Sequence, residues 1–203
     1  MDNKDHWKRV YATKTPDQLS WTQAIPRASL EFIDAFQLPR TARIIDIGGG
    51  DSRLVDFLLE KGFQNITVLD IAEEALQRAR LRLGNKADLV RWIVADVTSF
   101  QPDMPYDLWH DRATFHFLTD RQGILRYLSA ARAAVHTGGY ALIGTFSENG
   151  PEKCSGLPIH RYTERELAVE LDNGFQKIKC INEDHLTPFH TVQNFLFCSF
   201  RRA

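Results

Sequence analysis

Four aspartates, Asp46, Asp70, Asp96 and Asp111, each stand at or near the end of an apolar run, and three consecutive glycines, Gly48, Gly49 and Gly50, follow the first of them. A glycine turn lets the backbone approach a ligand closely. Between an apolar run and a helical pattern it is a common seat for a nucleotide. The dinucleotide spacing G-x-G-x-x-G is only half met: Gly48 and Gly50 fill the first two positions and Arg53 takes the third.

Asp46 narrows the choice of ligand. A carboxylate two residues before the glycines repels a pyrophosphate and attracts a cation. S-adenosylmethionine carries an ammonium and a sulfonium and no phosphate, so it suits this loop. Asp46 is placed to hold the ammonium directly or through water. Asp70, closing the next apolar run with Ile71 behind it, stands at the spacing of an acid that binds ribose hydroxyls. Asp96 is placed to accept from an adenine amino group, with the Val97 backbone at the ring edge.

The elements that must position these residues alternate. "RIIDI" (43–47), "ITVLD" (66–70), "LVRWIVADV" (89–97), "YDLWHD" (106–111) and "YALIGTF" (140–146) read as strands. Helical patterns fall between them: "SRLVDFLLEKG" with Ser52 as its cap, 73–84, and 121–136 preceded by Asp120. "PRASLEFIDAF" is a further helix ahead of the first strand, and Thr163 with Glu166 forms a capping box. Strands separated by helices predict an α/β fold with a doubly wound parallel sheet. The last two strand patterns, "FQKIKCIN" and "QNFLFCSF", have only the loop "EDHLTPFHT" between them and suit an antiparallel pair. In such sheets ligands sit beyond the carboxyl ends of the strands, where the acids recur.

A length of 203 residues suits one domain, and a formal net charge of -1 offers neither a basic groove for nucleic acid nor an acidic tail. The polar N-terminus reads as neither signal nor transit peptide, and no apolar run reaches membrane-spanning length, so no membrane partner is expected. Cys154, Cys180 and Cys198 are few and widely spaced, which suggests reduced thiols in a cytoplasmic protein. Cys154, His110, His116 and His160 have no compact ligand spacing, so no metal is expected.

"IIDIGGGDS", "ITVLDI", "VADV" and "YDLWHDRATFHFL" together resemble the successive motifs of the class I S-adenosylmethionine-dependent methyltransferases, from about Ala42 to Phe146. Ser52 stands where the usual D-x-G-x-G-x-G loop has its third glycine. The resemblance implies a Rossmann-like seven-stranded sheet, mostly parallel, with the last strand antiparallel, in a single domain of residues 1–203. Residues 1–40 would form a helical cover over a core of 41–203. Two branches are similar: the lysine methyltransferases of elongation factors, and the thiopurine and chalcogen methyltransferases, which the Asp111-Arg112-Ala113 run resembles more. In both, a W-x-x-x-Y leader helps cover the cofactor; Trp7 and Tyr11 match it, and Trp21 follows as a further cofactor contact.

Methyl transfer is a displacement on a sulfonium carbon, so positioning, desolvation and in some cases a base are the protein's contributions. Asp111 is expected to orient an acceptor or take a proton, Arg112 to fix an anionic group, and His116 to offer a second base. Asp111 and Arg112 read equally as a structural ion pair. His110 is expected to touch cofactor or substrate through its backbone, or only to pack. Residues 147–162 read as a lid carrying Cys154 and His160. The expected acceptor is a small molecule, with a protein lysine as the alternative. A nicotinamide-dependent oxidoreductase and a non-catalytic cofactor-binding module are the rivals outside that chemistry.

Overall fold

The computed structural model describes residues 3–203. Its seven-stranded sheet has the order β3-β2-β1-β4-β5-β9-β8. The strands are β1 (Arg43–Ile47), β2 (Asn65–Asp70), β3 (Val90–Val94), β4 (Tyr106–Arg112), β5 (Val135–Phe146), β8 (Phe175–Leu186) and β9 (Val192–Arg202). Strands β1 to β5 pair in parallel. β9 inserts antiparallel between β5 and β8. The fold is thus α/β and Rossmann-like, with the expected antiparallel last strand. A two-stranded hairpin, β6 (Lys153–Cys154) and β7 (Leu157–Pro158), lies within the 147–162 segment.

The strands bury both faces because adjacent side chains point to opposite sides. Ile44 joins the cluster under helices α2 (Arg27–Ala35) and α3 (Leu54–Glu60), with Leu30, Ile33, Leu54 and Leu58. Ile45 joins the opposite cluster with Ile124, Tyr127 and Leu128 of α5 (Arg121–Ala134) and Leu167 of α6 (Glu164–Leu171). Helix α1 (Asn3–Thr13) contributes Val10 and Tyr11, which pack with Leu19 against Ala72 and Ala75 at the start of α4 (Glu73–Leu83). The N-terminal segment therefore lies along the edge where the parallel strands end.

Local chemistry sets the boundaries. Asp120 caps α5 by accepting from Gly123 N–H, and Thr163 and Glu166 exchange the two bonds of a capping box at α6. Ser52 accepts from Leu54 N–H at 3.2 Å, although the capping position of α3 falls on Arg53.

β5 begins at Val135, within the stretch 121–136 read as helix, and three further expectations differ from the structure. β3 stops at Val94, because Asp96 turns its carboxylate onto Thr98 N–H and starts a short helical turn over Val97–Ser99. β8 continues through Leu186, into the stretch read as a loop, because β9 pairs with it out to Val192. Cys180 and Cys198, expected as reduced thiols, are register partners on β8 and β9 and form a disulfide. Their separation in sequence hides that pairing, which only the strand register creates. Cys154 is the free thiol and is buried. Among the described residues, no helix is long and apolar enough to cross a membrane.

Candidate active site

A cavity of about 220 Å³ opens at the carboxyl edge of the parallel strands. Its floor is Gly48 after β1, Leu69, Asp70 and Ile71 at the end of β2, Ala95 to Thr98 after β3, and Arg112 to Thr114 at the end of β4. Trp7, Tyr11 and Trp21 cover it from the N-terminal segment, and Phe117 and Cys154 close it from the later loops. Elements far apart in sequence thus converge where an open α/β sheet binds its ligand.

The glycine loop needs its glycines for close contact and backbone shape. Gly48 has φ +60, and a Cβ there would stand 1.8 Å from Thr114 Oγ1. Gly50 has φ +50, and a Cβ there would meet the Tyr11 hydroxyl at 2.7 Å. Gly49 does not line the cavity; its Cα faces inward, where a Cβ would stand 2.6 Å from Asp46 Oδ2.

Asp70 lies on the cavity wall, almost closed to solvent, and accepts from Ala72 N–H at 2.8 Å. Burial first, and the negative charges of Asp46 and Asp51 next, push its carboxyl up to about 7, against the pull of the Ala72 and Gly50 N–H donors. Ile71 and Val97 give apolar walls beside it, and Asp96 presents an exposed carboxylate whose Oδ1 caps Thr98. One end of the cavity is therefore acidic and hydrogen-bond accepting. The other, around Arg112, Trp21, Phe117 and Cys154, is aromatic and cationic.

β4 distributes its polar residues over two faces. His110 pairs in register with Asp46, and side chains on neighbouring strands at paired positions share a face. His110 Nδ1 lies 2.6 Å from Asp46 Oδ1, and its Nε2 lies 2.8 Å from the Ser29 hydroxyl on α2. All three residues are buried, so Asp46 and His110 sit behind the loop and off the cavity wall. Asp111 points to the opposite face. It accepts from Tyr127 hydroxyl at 2.6 Å and from Thr114 and Phe115 N–H, and burial pushes its carboxyl up to about 6. It bonds the turn below the cavity and makes no ion pair with Arg112.

Arg112 returns to the cavity side. Its Nη1 donates to Trp21 O at 2.9 Å, and its guanidinium lies 5.0 Å over the Phe195 ring. Nε and Nη2 are closed to solvent and have no partner. Burial lowers its pKa to about 10, which keeps it charged at neutral pH.

His116 is fully buried between the Phe117 and Phe146 rings, and its Nδ1 accepts from Phe146 N–H at 3.2 Å. Burial, with the Arg112 charge second, holds its pKa down at about 3, and it does not line the cavity. Cys154 does line it, and burial pushes its thiol up to about 12.

Sequence reasoning named Asp70, Ile71, Asp96, Val97, Trp21, Gly48 and Arg112, which the structure brings to one cavity. It missed the supports: Ser29 behind His110, Tyr127 beneath Asp111, and Thr114 packed on Gly48. A serine on the apolar side of a helix and a buried tyrosine carry no signal of their own until the register is known. Among the described residues, no group of three or more His, Cys, Asp or Glu side chains could hold a metal ion.

The comparisons agree with this geometry. A model of the methyltransferase domain matches residues 45–141. The malonyl-[acyl-carrier protein] O-methyltransferase 2 of Ilyobacter polytropus is 26% identical over 164 residues, 75% of this chain and 62% of that protein. The trans-aconitate 2-methyltransferase of Rhizobium etli is 30% identical over 103 residues, 50% of this chain and 39% of that protein. The chain thus spans about three fifths or less of the length of these relatives. The Burkholderia thailandensis 1,6-didemethyltoxoflavin-N1-methyltransferase, solved with S-adenosylhomocysteine and its substrate, superposes with a TM-score of 0.73 at 19% identity. That match covers 98% of this chain and 87% of the other. The motif set, the sheet order and the domain match agree: residues 45–141 match a methyltransferase domain, and the fold is similar to that of solved S-adenosylmethionine-dependent methyltransferases.

Proposed function

We propose that this protein transfers a methyl group from S-adenosylmethionine to a small-molecule acceptor. The observation that carries the reading is the cavity at the strand edge, with acceptor groups at one end and a cationic, aromatic-walled end at the other. The residues suit the cofactor. Asp70 would accept from ribose hydroxyls, Asp96 from the adenine amino group, and Ile71 and Val97 would flank the ring. Gly48 leaves the backbone bare where a side chain would intrude. When bound, the cofactor supplies the activated methyl group.

The chain's own part is to cover, orient and dry the site. Trp7, Tyr11 and Trp21 form the cover, and Arg112 presents charge to the acceptor end. Asp46 serves this site as a support: it is held by His110 and packs against the glycine loop.

A small acceptor is favoured over a protein lysine for two reasons. The acceptor end is walled by Trp21, Phe117 and Cys154. A lysine ammonium must also lose a proton before it can attack, while His116 and Asp111 are turned away from the cavity and Arg112 would repel the ammonium. Among the relatives, the trans-aconitate named for one is a small acid, and the malonyl group named for another is carried on acyl-carrier protein. Thermal-shift titration tests the donor: S-adenosylhomocysteine should stabilise the protein and NAD should not. The reverse pattern would support an oxidoreductase.

A further inference from the structure

We infer that Arg112 anchors a carboxylate of the methyl acceptor, so that the site takes a small carboxylic acid. The inference rests on the transferase reading above and deepens it. It starts from an imbalance in the protein alone. Arg112 has one bonded nitrogen, Nη1, spent on Trp21 O, and two that are sealed from solvent without a partner. Leaving charged donors unpaired in a protein interior is strongly unfavourable, so the arrangement makes sense when the cover parts and a ligand group reaches the free edge.

The free atoms define what completes it. Nε and Nη2 share one edge of the planar guanidinium and point two N–H bonds in parallel. That edge is the one that grips a carboxylate with two hydrogen bonds. Glu183 and Asp46 attract the guanidinium from further away, but Asp46 Oδ1 is taken by His110 and neither reaches the free edge. Cys154 stays a neutral thiol beside it, and His116 stays neutral behind it. The cation therefore meets no local anion in contact.

The surroundings fit a single planar anion. Trp21 and Phe117 wall the cavity and the buried Phe195 ring lies against the guanidinium, and low-dielectric surroundings strengthen an ion pair. The other arginine on the cavity wall, Arg126, belongs to α5 and is exposed. One cation with one free edge balances one carboxylate; a phosphate dianion would bring a second charge without a second donor group.

Two sources share this chemistry, the acceptor and the α-carboxylate of the cofactor, and the test separates them. The protein is saturated with S-adenosylhomocysteine and titrated with benzoate, succinate and glutarate, each beside its amide, following thermal stability. Wild type should be stabilised by at least one acid and by none of the amides. Arg112→Met should lower apparent acid affinity at least tenfold. In parallel, calorimetry compares S-adenosylhomocysteine with its decarboxylated analogue on both proteins. Their affinity ratio should be the same in wild type and Arg112→Met.

Stabilisation by no acid would overturn the inference. So would an Arg112→Met protein that loses its preference for S-adenosylhomocysteine over the decarboxylated analogue, because Arg112 would then hold the cofactor. Acid binding that survives Arg112→Met would overturn it as well. Methyl transfer is followed separately: acid binding without any transfer would sink the transferase reading and leave the anion site standing.

Discussion

His110 Nδ1 lies 2.6 Å from Asp46 Oδ1, joining β4 to β1 directly behind the glycine loop. The bond explains how an acid can stand in a buried position beside that loop. Ser29 holds the other ring nitrogen, so the imidazole is oriented from both sides. Asp46, read from the sequence as a cofactor contact, is thus a buried support behind the glycine loop, locked by a histidine that itself does not line the cavity.

Replacing that histidine should act on stability before chemistry. His110→Phe leaves the Asp46 carboxylate buried without its partner, which costs about 3–5 kcal/mol. At this chain length the melting temperature should fall by roughly 6–20 °C. Differential scanning calorimetry checks this. His110→Phe with Asp46→Leu should recover part of the loss, since replacing both members of a buried pair by apolar groups is far less costly.

If Asp70 holds the ribose as proposed, it gives cofactor binding a pH dependence. Its folded pKa is raised from 3.8 to about 7, chiefly by burial. Below that value the protein without cofactor holds a proton on Asp70, which must leave before the carboxylate can accept from two ribose hydroxyls. S-adenosylhomocysteine affinity should therefore fall as pH drops through about 7, approaching tenfold per pH unit. Asp70→Asn should flatten the profile and weaken binding at pH 8. Isothermal titration in two buffers of different ionisation heat would show proton release below pH 7. For stability without ligand the sign is opposite. A carboxyl whose folded pKa is raised binds protons more tightly when folded, so its contribution is largest below about 4 and is lost as pH rises toward 7.

Gly48→Ala places a methyl 1.8 Å from Thr114 Oγ1 at a backbone φ of +60. The shift it forces, together with the strained backbone, should cost about 1–3 kcal/mol. Cofactor affinity should fall more than stability does, because Gly48 and Thr114 both line the cavity. Gly48→Ala with Thr114→Ala should restore melting temperature before it restores binding.

His116 should not behave as a base. Its ring is stacked, its Nδ1 accepts from Phe146 N–H, and its pKa of about 3 keeps it neutral. His116→Phe orphans that N–H and should cost about 1–3 kcal/mol. The pH profile of kcat/KM for methyl transfer should keep its shape. A limb that vanishes with the variant would show that His116 titrates in the reaction after all.

The Cys180–Cys198 disulfide joins the two C-terminal strands. Cys180→Ser with Cys198→Ser should lower stability by about 2–4 kcal/mol. Cofactor affinity should stay unchanged, because neither residue lines the cavity. Denaturant titration of both proteins checks the two halves together.

Much of the fold was legible because its signals are local and repeated. The strand at Arg43–Ile47 and the helix starts at Asp120 and Thr163 follow from periodicity and capping residues within a few positions. That Asp70, Ile71, Asp96 and Val97 would meet at one cavity was legible for a topological reason: parallel strands all end at one edge. The roles of Asp111 and His116 were not. Asp111 adjoins Arg112 in sequence, yet strand alternation sends one toward Tyr127 and the other toward Trp21. Spacing also hid that Asp46 is spent on His110 and that Cys180 meets Cys198, since both pairings depend on register between strands.

The most direct test of the central claim is the fate of a labelled methyl group. The protein is incubated with methyl-labelled S-adenosylmethionine and a cell extract divided by molecular size. Label should appear in the low-molecular-weight fraction, be retained on an anion exchanger and be lost when the extract's carboxylates are first converted to amides. Label confined to macromolecules would contradict that claim.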